Sequence, residues 1–139
     1  MVDANQEFKT AKPVYRNIGL AQLIKYRLPW AGKVSILHRV SGAVIFLMLP
    51  FILYVFDQSL ASELSYKNFQ AITSNILVKI ILLGLIWCFL HHFCAGIRYL
   101  LLDLEIGVEK HEANRSAIVV LCIGVALTAV FGLKLFGLY

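Results

Sequence analysis

Three apolar stretches, 36–60, 76–102 and 117–138, constrain the fold of this chain more than any other feature. Each approaches or exceeds the ~20 residues that a helix rising ~1.5 Å per residue needs to cross ~30 Å of hydrocarbon. Hydrophobic residues make up 60% of the 139 positions and charged residues only 15%, whereas a soluble domain carries about a quarter charged residues. The sequence therefore predicts an all-α integral membrane protein with three transmembrane helices and no separate soluble domain.

The basic residues are unevenly distributed between the two ends of these helices. The connection after the second stretch carries Lys110 and Arg115, whereas the connection after the first offers only Lys67. The positive-inside rule predicts that the N-terminus and the second connection face the cytoplasm, so the helices run up-down-up. The net charge of +5 then reflects orientation in the lipid bilayer, and no nucleic-acid partner is predicted. More than half of the 13 basic residues lie at or before the start of the first stretch: Lys9, Lys12, Arg16, Lys25, Arg27, Lys33 and Arg39.

The predicted organisation is a cytoplasmic N-terminal segment followed by a transmembrane domain. Because residues 1–25 are polar and contain no apolar core before a cleavage site, we expect a multi-pass protein of a bacterial inner membrane. Ser116 is predicted to cap the third helix. The predicted bounds are 1–34 for the segment and 35–139 for the domain, with helices at about 35–60, 76–104 and 116–138.

The second apolar stretch contains the sequence HHFCAGIRYLLLD, from His91 to Asp103. At helical spacing, His92, Gly96, Tyr99 and Asp103 form one stripe. If Asp103 marks the cytoplasmic edge, His92 lies ~16 Å deeper, where an imidazole without a partner is costly. Histidine is a usual axial ligand of haem iron, and Gly96 would leave space for the porphyrin, so we predict that His92 binds haem. The alternative is that His91 and His92 form hydrogen bonds with neighbouring helices.

The sequence SILHRVSG, 35–42, places polar groups at the start of the first apolar stretch. Helix one begins at the predicted cytoplasmic surface and helix two ends there, so the two motifs lie at similar depth. A haem on His92 with propionates toward the cytoplasm would bring carboxylates to this level, where His38 and Arg39 would bind them. The Ser35 hydroxyl and the Arg39 charge also suit a quinone carbonyl. The alternative for His38 and Arg39 is that they reach the lipid headgroups.

The two motifs together resemble a known family. R-L-P, five further residues and SILHRVSG occupy 27–42, and HFCAGIRYLLLD occupies 92–103. This pattern closely resembles the family of cytochrome b556 subunits of succinate dehydrogenase, the larger membrane anchors of respiratory complex II. The resemblance covers both motifs, their separation, the three spans and the total length. It implies three transmembrane helices and a cytoplasmic N-terminus, as the charge distribution also predicts.

The resemblance also implies roles for individual residues. His92 matches the axial ligand of haem b. Ser35 and Arg39 match residues that line the ubiquinone pocket, and His38 matches a residue near the haem propionates, which Arg39 would also approach. Family members usually have histidine where this chain has Tyr99, so no contact at that position is inferred.

The activity implied by the resemblance belongs to a complex of four subunits. A flavoprotein subunit oxidises succinate, an iron–sulfur subunit carries the electrons, and two anchors supply haem b and the site where ubiquinone, the substrate, is reduced. This chain has only three cysteines and no dinucleotide fingerprint, so it would not hold the clusters or the flavin. A second small membrane anchor would supply the other haem ligand, since His91 points ~100° away from His92.

Two other functions are also compatible with the sequence. An anchor of the fumarate reductase type would run the same chemistry in reverse on a low-potential quinol, although SILHR favours the ubiquinone type. A purely structural anchor would bind no haem, and His92 argues against it because an imidazole in mid-membrane needs a partner.

Overall fold

The computed structural model describes Gly19, Gln22 and residues 25–138, so most of the predicted segment 1–34 lies outside the described residues. Four helices have described bounds, and no strand occurs in the part of the chain that the structure describes. We number these helices α1 (Trp30–Ala61), α2 (Glu63–Ser74), α3 (Ile76–Asp103) and α4 (Lys110–Leu135).

The three predicted membrane spans are confirmed as α1, α3 and α4. Each is long and apolar enough to cross a membrane. Large apolar side chains such as Phe46 and Leu77 are exposed along them. Exposed apolar side chains are expected where the surrounding solvent is hydrocarbon, because transferring them into hydrocarbon is favourable.

Two helices begin earlier than the sequence predicted. α1 begins at Trp30 rather than at position 35, and α4 begins at Lys110 rather than at 116. The predicted cap at Ser116 is therefore wrong, because Glu109 occupies the N-cap position and Ser116 lies inside α4. The prediction placed each start just before the continuous apolar run, but α1 already begins at Trp30 and α4 runs through the largely polar residues 110–115.

The connection between the first two spans contains a helix, α2, which the apolar pattern of the sequence did not predict. The Ser62 hydroxyl accepts a hydrogen bond from the Ser65 backbone N–H at 3.1 Å, which caps α2. Asn75 ends α2 and caps α3, because its side-chain oxygen accepts from the Leu77 N–H at 2.9 Å. These caps satisfy N–H groups that a helix start leaves free.

α3 and α4 end in the same hydrogen-bonding pattern. At the end of α3 the Ile106 N–H donates to the Leu101 carbonyl at 3.0 Å, and at the end of α4 the Leu138 N–H donates to the Leu133 carbonyl at 2.9 Å. Such a turn places one residue in the left-handed region, which favours glycine. Gly137 fills that position after α4, with φ 74°, whereas Glu105 fills it after α3, with φ 60°.

α3 is the central helix of the bundle and packs against α1 on one side and α4 on the other. The starts of α1 and α4 lie at the same end, since the Asn114 side-chain oxygen accepts from the Ala31 N–H at 3.1 Å. This contact between the two helix starts agrees with spans that alternate in direction. The side of the membrane that each end faces stays a prediction. A small core joins the three spans through Val34, Ala95, Ala117 and Val120.

Candidate functional site

The His92 ring lies between α3 and α1 and is held by the backbone of the SILHRVSG motif. Its Nδ1 lies 3.0 Å from the His38 carbonyl oxygen. The Ser41 hydroxyl lies 3.5 Å from the same nitrogen. A carbonyl can only accept, so Nδ1 carries the hydrogen and donates, and in the neutral imidazole Nε2 keeps the lone pair. No described residue forms a hydrogen bond with Nε2.

The position of the His92 ring depends on a close approach between the two helices. A Cβ added to Gly42 would lie 2.6 Å from His92 Cε1, closer than real Cβ atoms come to other heavy atoms. The His38 ring stacks on the His92 ring, with centroids 4.2 Å apart and planes 5° apart. Glycine at position 42 therefore provides the space in which His92 sits.

Two other residues of the predicted stripe also face His38. The Tyr99 and His38 ring centroids are 5.1 Å apart. A Cβ on Gly96 would lie 3.7 Å from His38 Nε2, so the His38 side chain occupies the space in front of that glycine. Asp103 is exposed at the end of α3. We refer to His38, Ser41, His92 and Tyr99 as the histidine cluster.

Ser35 and Arg39 lie outside this cluster. Ser35 is half-buried and Arg39 is exposed. Within the described part of the chain, neither side chain forms a hydrogen bond or an ion pair with another residue. The chain's own packing thus brings His38 to His92, and it leaves Ser35 and Arg39 on a face of α1 that is open to lipid, a ligand or another subunit.

His91 faces a different side of α3 from His92, ~100° around the helix. It is 0% exposed, and its ring stacks on Trp87 with centroids 5.1 Å apart. A Cβ on Gly124 would lie 3.6 Å from the His91 Cα, so α4 covers this face closely. Both ring nitrogens of His91 are buried and have no hydrogen-bond partner among the described residues.

Residues 12–131 match the family of succinate dehydrogenase/fumarate reductase transmembrane subunits. The chain belongs to this family. It is 34% identical over 96 residues to the succinate dehydrogenase cytochrome b556 subunit of Coxiella burnetii, covering 68% of this chain and 77% of that one. The subunit of the same name from Paracoccus denitrificans is 29% identical over 92 residues, covering 66% of this chain and 71% of that one.

A third relative extends the likeness along almost the whole chain. The cytochrome b556 subunit of succinate dehydrogenase from Rickettsia felis is 23% identical over 128 residues, covering 92% of this chain and 96% of that one. Together with the three spans, these matches identify a membrane subunit of a succinate dehydrogenase/fumarate reductase complex, and the bacterial relatives indicate an inner membrane. The predicted family is confirmed.

The residues present fit the haem that the name cytochrome b implies for these relatives. A histidine that binds iron usually donates its other ring N–H to a carbonyl or carboxylate, which fixes the tautomer and the ring orientation. His92 has this arrangement. No group of three or more His, Cys, Asp or Glu residues in the described regions could hold a metal ion by itself, and an axial haem ligand needs only one histidine from the chain.

The sequence-based prediction gave no role to Arg98, which is the most deeply buried charged residue in the part of the chain that the structure describes. Arg98 is 5% exposed. Its Nε donates to the Ser116 hydroxyl and its Nη2 donates to the Ala113 carbonyl, both at 2.9 Å. Helical spacing places Arg98 on one face with His91 and Ala95, and the structure shows that all three are buried.

Proposed function

We propose that this chain is the cytochrome b anchor of a succinate:ubiquinone oxidoreductase and that His92 is an axial ligand of its haem b. The observation that carries the proposal is the 3.0 Å contact between His92 Nδ1 and the His38 carbonyl. Because that contact occupies Nδ1 as a donor, Nε2 is the nitrogen left to bind iron. Haem bound there would supply one-electron chemistry within the membrane.

The second axial ligand would come from a second small membrane anchor. The chain has four histidines, and among them His92 is the one whose ring is oriented by a hydrogen bond to a backbone carbonyl, which leaves Nε2 for a ligand. His91 is covered by α4 and Trp87. His38 stacks parallel to His92 at 4.2 Å, so the two rings cannot lie on opposite sides of one iron. His111 is exposed near the start of α4, beyond the end of α3 at Asp103.

His38 and Arg39 would bind the haem propionates. Arg39 is a cation inside a membrane span that has no acidic partner in the described chain. A charge in this position is costly unless it is paired or reaches the headgroups. Propionate carboxylates would pair with the guanidinium through charge-assisted hydrogen bonds.

Ser35 and Arg39 would form this chain's part of the ubiquinone site. The Ser35 hydroxyl can donate to a quinone carbonyl, and the Arg39 charge can stabilise the negative charge that develops on that oxygen during reduction. Both lie on the open face of α1, so residues of another subunit would complete the pocket. Water at the same end of the bundle would supply the two protons that the quinol requires.

The same end of the bundle would dock the iron–sulfur subunit, which in turn carries the flavoprotein. The family description covers both succinate dehydrogenases and fumarate reductases. The preference for ubiquinone reduction therefore rests on the SILHR sequence and on the names of the relatives.

The decisive experiment is a reduced-minus-oxidised optical spectrum of the purified complex for the natural chain, His92→Ala and His91→Ala. We expect a low-spin b-type α-band in the natural complex, its loss or shift in His92→Ala, and its retention in His91→Ala. Subunit stoichiometry on a gel shows whether each variant has assembled. An unchanged band in an assembled His92→Ala complex would move the ligand to another residue, and a flat natural spectrum would leave the chain as a structural anchor.

A further inference from the structure

A groove of about 440 Å³ lies between α3 and α4, at the end of the bundle that carries their connection. It lies on the face of α3 away from the histidine cluster. The groove has apolar walls and a polar end, at which Arg98, Arg115 and Ser116 are found. Its apolar lining includes Ile97, Leu101, Val119 and Ile123.

Arg98 brings an uncompensated positive charge to this groove. Two of its nitrogens donate to neutral groups, the Ser116 hydroxyl and the Ala113 carbonyl. The third, Nη1, is buried and has no partner among the described residues. No carboxylate in the described chain lies within ion-pair distance of Arg98. A buried charge without a counter-charge is costly, so an anion bound beside Arg98 would stabilise the site.

A second guanidinium makes this end of the groove positive overall. Arg115 lines the groove from α4 and is exposed. The acidic residue Glu112 also lines the groove. Its carboxylate lies 3.6 Å from Nδ1 of His111, a residue that does not line the groove. The lining therefore carries two positive charges and one negative charge, a balance that favours an anionic ligand.

The depth of the arginines corresponds to lipid headgroups. Arg98 lies ~7 Å from the end of α3 at Asp103, and Arg115 lies a similar distance from the start of α4. The apolar walls continue from there toward the middle of the span. A free phosphate would use only the charged end of this groove, whereas a phospholipid would use both the charged end and the walls.

We propose that this groove binds an anionic phospholipid, with its phosphate at Arg98 and Arg115 and an acyl chain along Ile97 and Val119. Basic pockets between membrane helices on the cytoplasmic side suit such headgroups. The bound lipid would neutralise the buried guanidinium and hold α3 against α4. The proposal does not depend on haem binding at His92.

The test measures which lipids the purified complex retains. The natural complex and its variants are reconstituted in vesicles of phosphatidylcholine with a minor fraction of phosphatidylglycerol, washed in mild detergent and assayed for bound lipid by mass spectrometry. Arg115→Gln is the main variant, because Arg115 is exposed and its loss should leave the fold intact. Lys110→Gln removes the same charge from a position that does not line the groove. Val119→Trp fills the groove without changing its charge.

We expect the natural complex to retain phosphatidylglycerol over phosphatidylcholine and Arg115→Gln to retain about fivefold less, the factor that one basic residue contributes near an anionic headgroup. Lys110→Gln should match the natural complex, and Val119→Trp should lose the lipid. Excess inorganic phosphate should not displace it.

Several results would overturn the proposal. Equal losses in Arg115→Gln and Lys110→Gln would show a general surface-charge effect. Retention without preference for phosphatidylglycerol would exclude charge recognition, and displacement by inorganic phosphate would reduce the site to an anion site. No retained lipid in the natural complex would indicate that a partner subunit covers the groove.

Discussion

The carbonyl oxygen of His38 lies 3.0 Å from Nδ1 of His92, which ties the motif at the start of α1 to the histidine in the middle of α3. The contact uses the backbone of position 38 and leaves its imidazole free to stack on the His92 ring. One residue therefore contributes to the proposed site in two ways: its carbonyl orients His92, and its side chain would face the propionates.

The first prediction concerns Gly42. A Cβ at this position would lie 2.6 Å from His92 Cε1, so Gly42→Ala should displace the ring and break its hydrogen bond to position 38. Loss of such an orienting contact typically lowers affinity for the bound group about 10- to 100-fold. We expect a corresponding loss of haem from the purified complex, measured as haem per complex by pyridine haemochrome absorbance.

Gly84→Ala is the matched control, because no atom of the described residues lies within 4 Å of a Cβ at that position of α3. It should retain its haem. Full haem content and an unchanged spectrum in Gly42→Ala would contradict the predicted role of the close approach.

The second prediction concerns His91. Both of its ring nitrogens are buried without partners among the described residues, and an unsatisfied buried polar group costs about 1–3 kcal/mol. His91→Leu removes that cost, although it also removes the stack on Trp87, which is worth about 1 kcal/mol. We expect unfolding in detergent to occur at the same temperature as in the natural complex or at a higher one, with the haem spectrum preserved. A lower unfolding temperature together with loss of haem would assign His91 a binding role.

The third prediction separates quinone chemistry from assembly at Arg39. Arg39→Leu should lower quinone reductase activity while succinate still reduces a soluble dye through the flavoprotein, because the exposed Arg39 side chain has no structural partner in the described chain. Lys33→Leu, which removes a charge one to two turns earlier on α1, is the control and should affect quinone reduction less. Equal loss of both activities in Arg39→Leu would indicate failed assembly instead.

The fourth prediction concerns the turn after α3. Glu105 has φ 60°, a conformation that costs a residue with a side chain roughly 1–2 kcal/mol. Glu105→Gly relieves this cost but makes the unfolded chain more flexible, which offsets about 0.5–1 kcal/mol. We expect a net gain of between about 0 and 1.5 kcal/mol in the free energy of unfolding.

Gly137→Ala tests the same physics in the opposite direction. Gly137 has φ 74° in the equivalent turn after α4, so alanine there should destabilise the protein by about 1 kcal/mol. Thermal unfolding of Glu105→Gly, Gly137→Ala and the natural protein in the same detergent measures both changes in stability. A destabilised Glu105→Gly would indicate that the Glu105 side chain makes a contact in the complex that outweighs its backbone conformation.

The sequence by itself determined the three spans and the family. Length and apolarity are sufficient for a span because insertion depends mainly on the transfer of each segment into hydrocarbon. Helical spacing also placed His92, Gly96 and Tyr99 on one stripe, and all three do lie toward His38.

Only the tertiary structure decided which neighbour each face meets. Spacing placed His91 and His92 on different faces, but packing determined that His92 contacts α1 while His91 is covered by α4. The burial of Arg98 against Ser116 could not be read from spacing alone, because it needs the relative positions of two helices. The partner of His92 is a backbone carbonyl, and since every residue has one, no pattern of side chains identifies which carbonyl will be used. That choice depends on how closely α1 approaches α3, which Gly42 permits and the packed bundle sets.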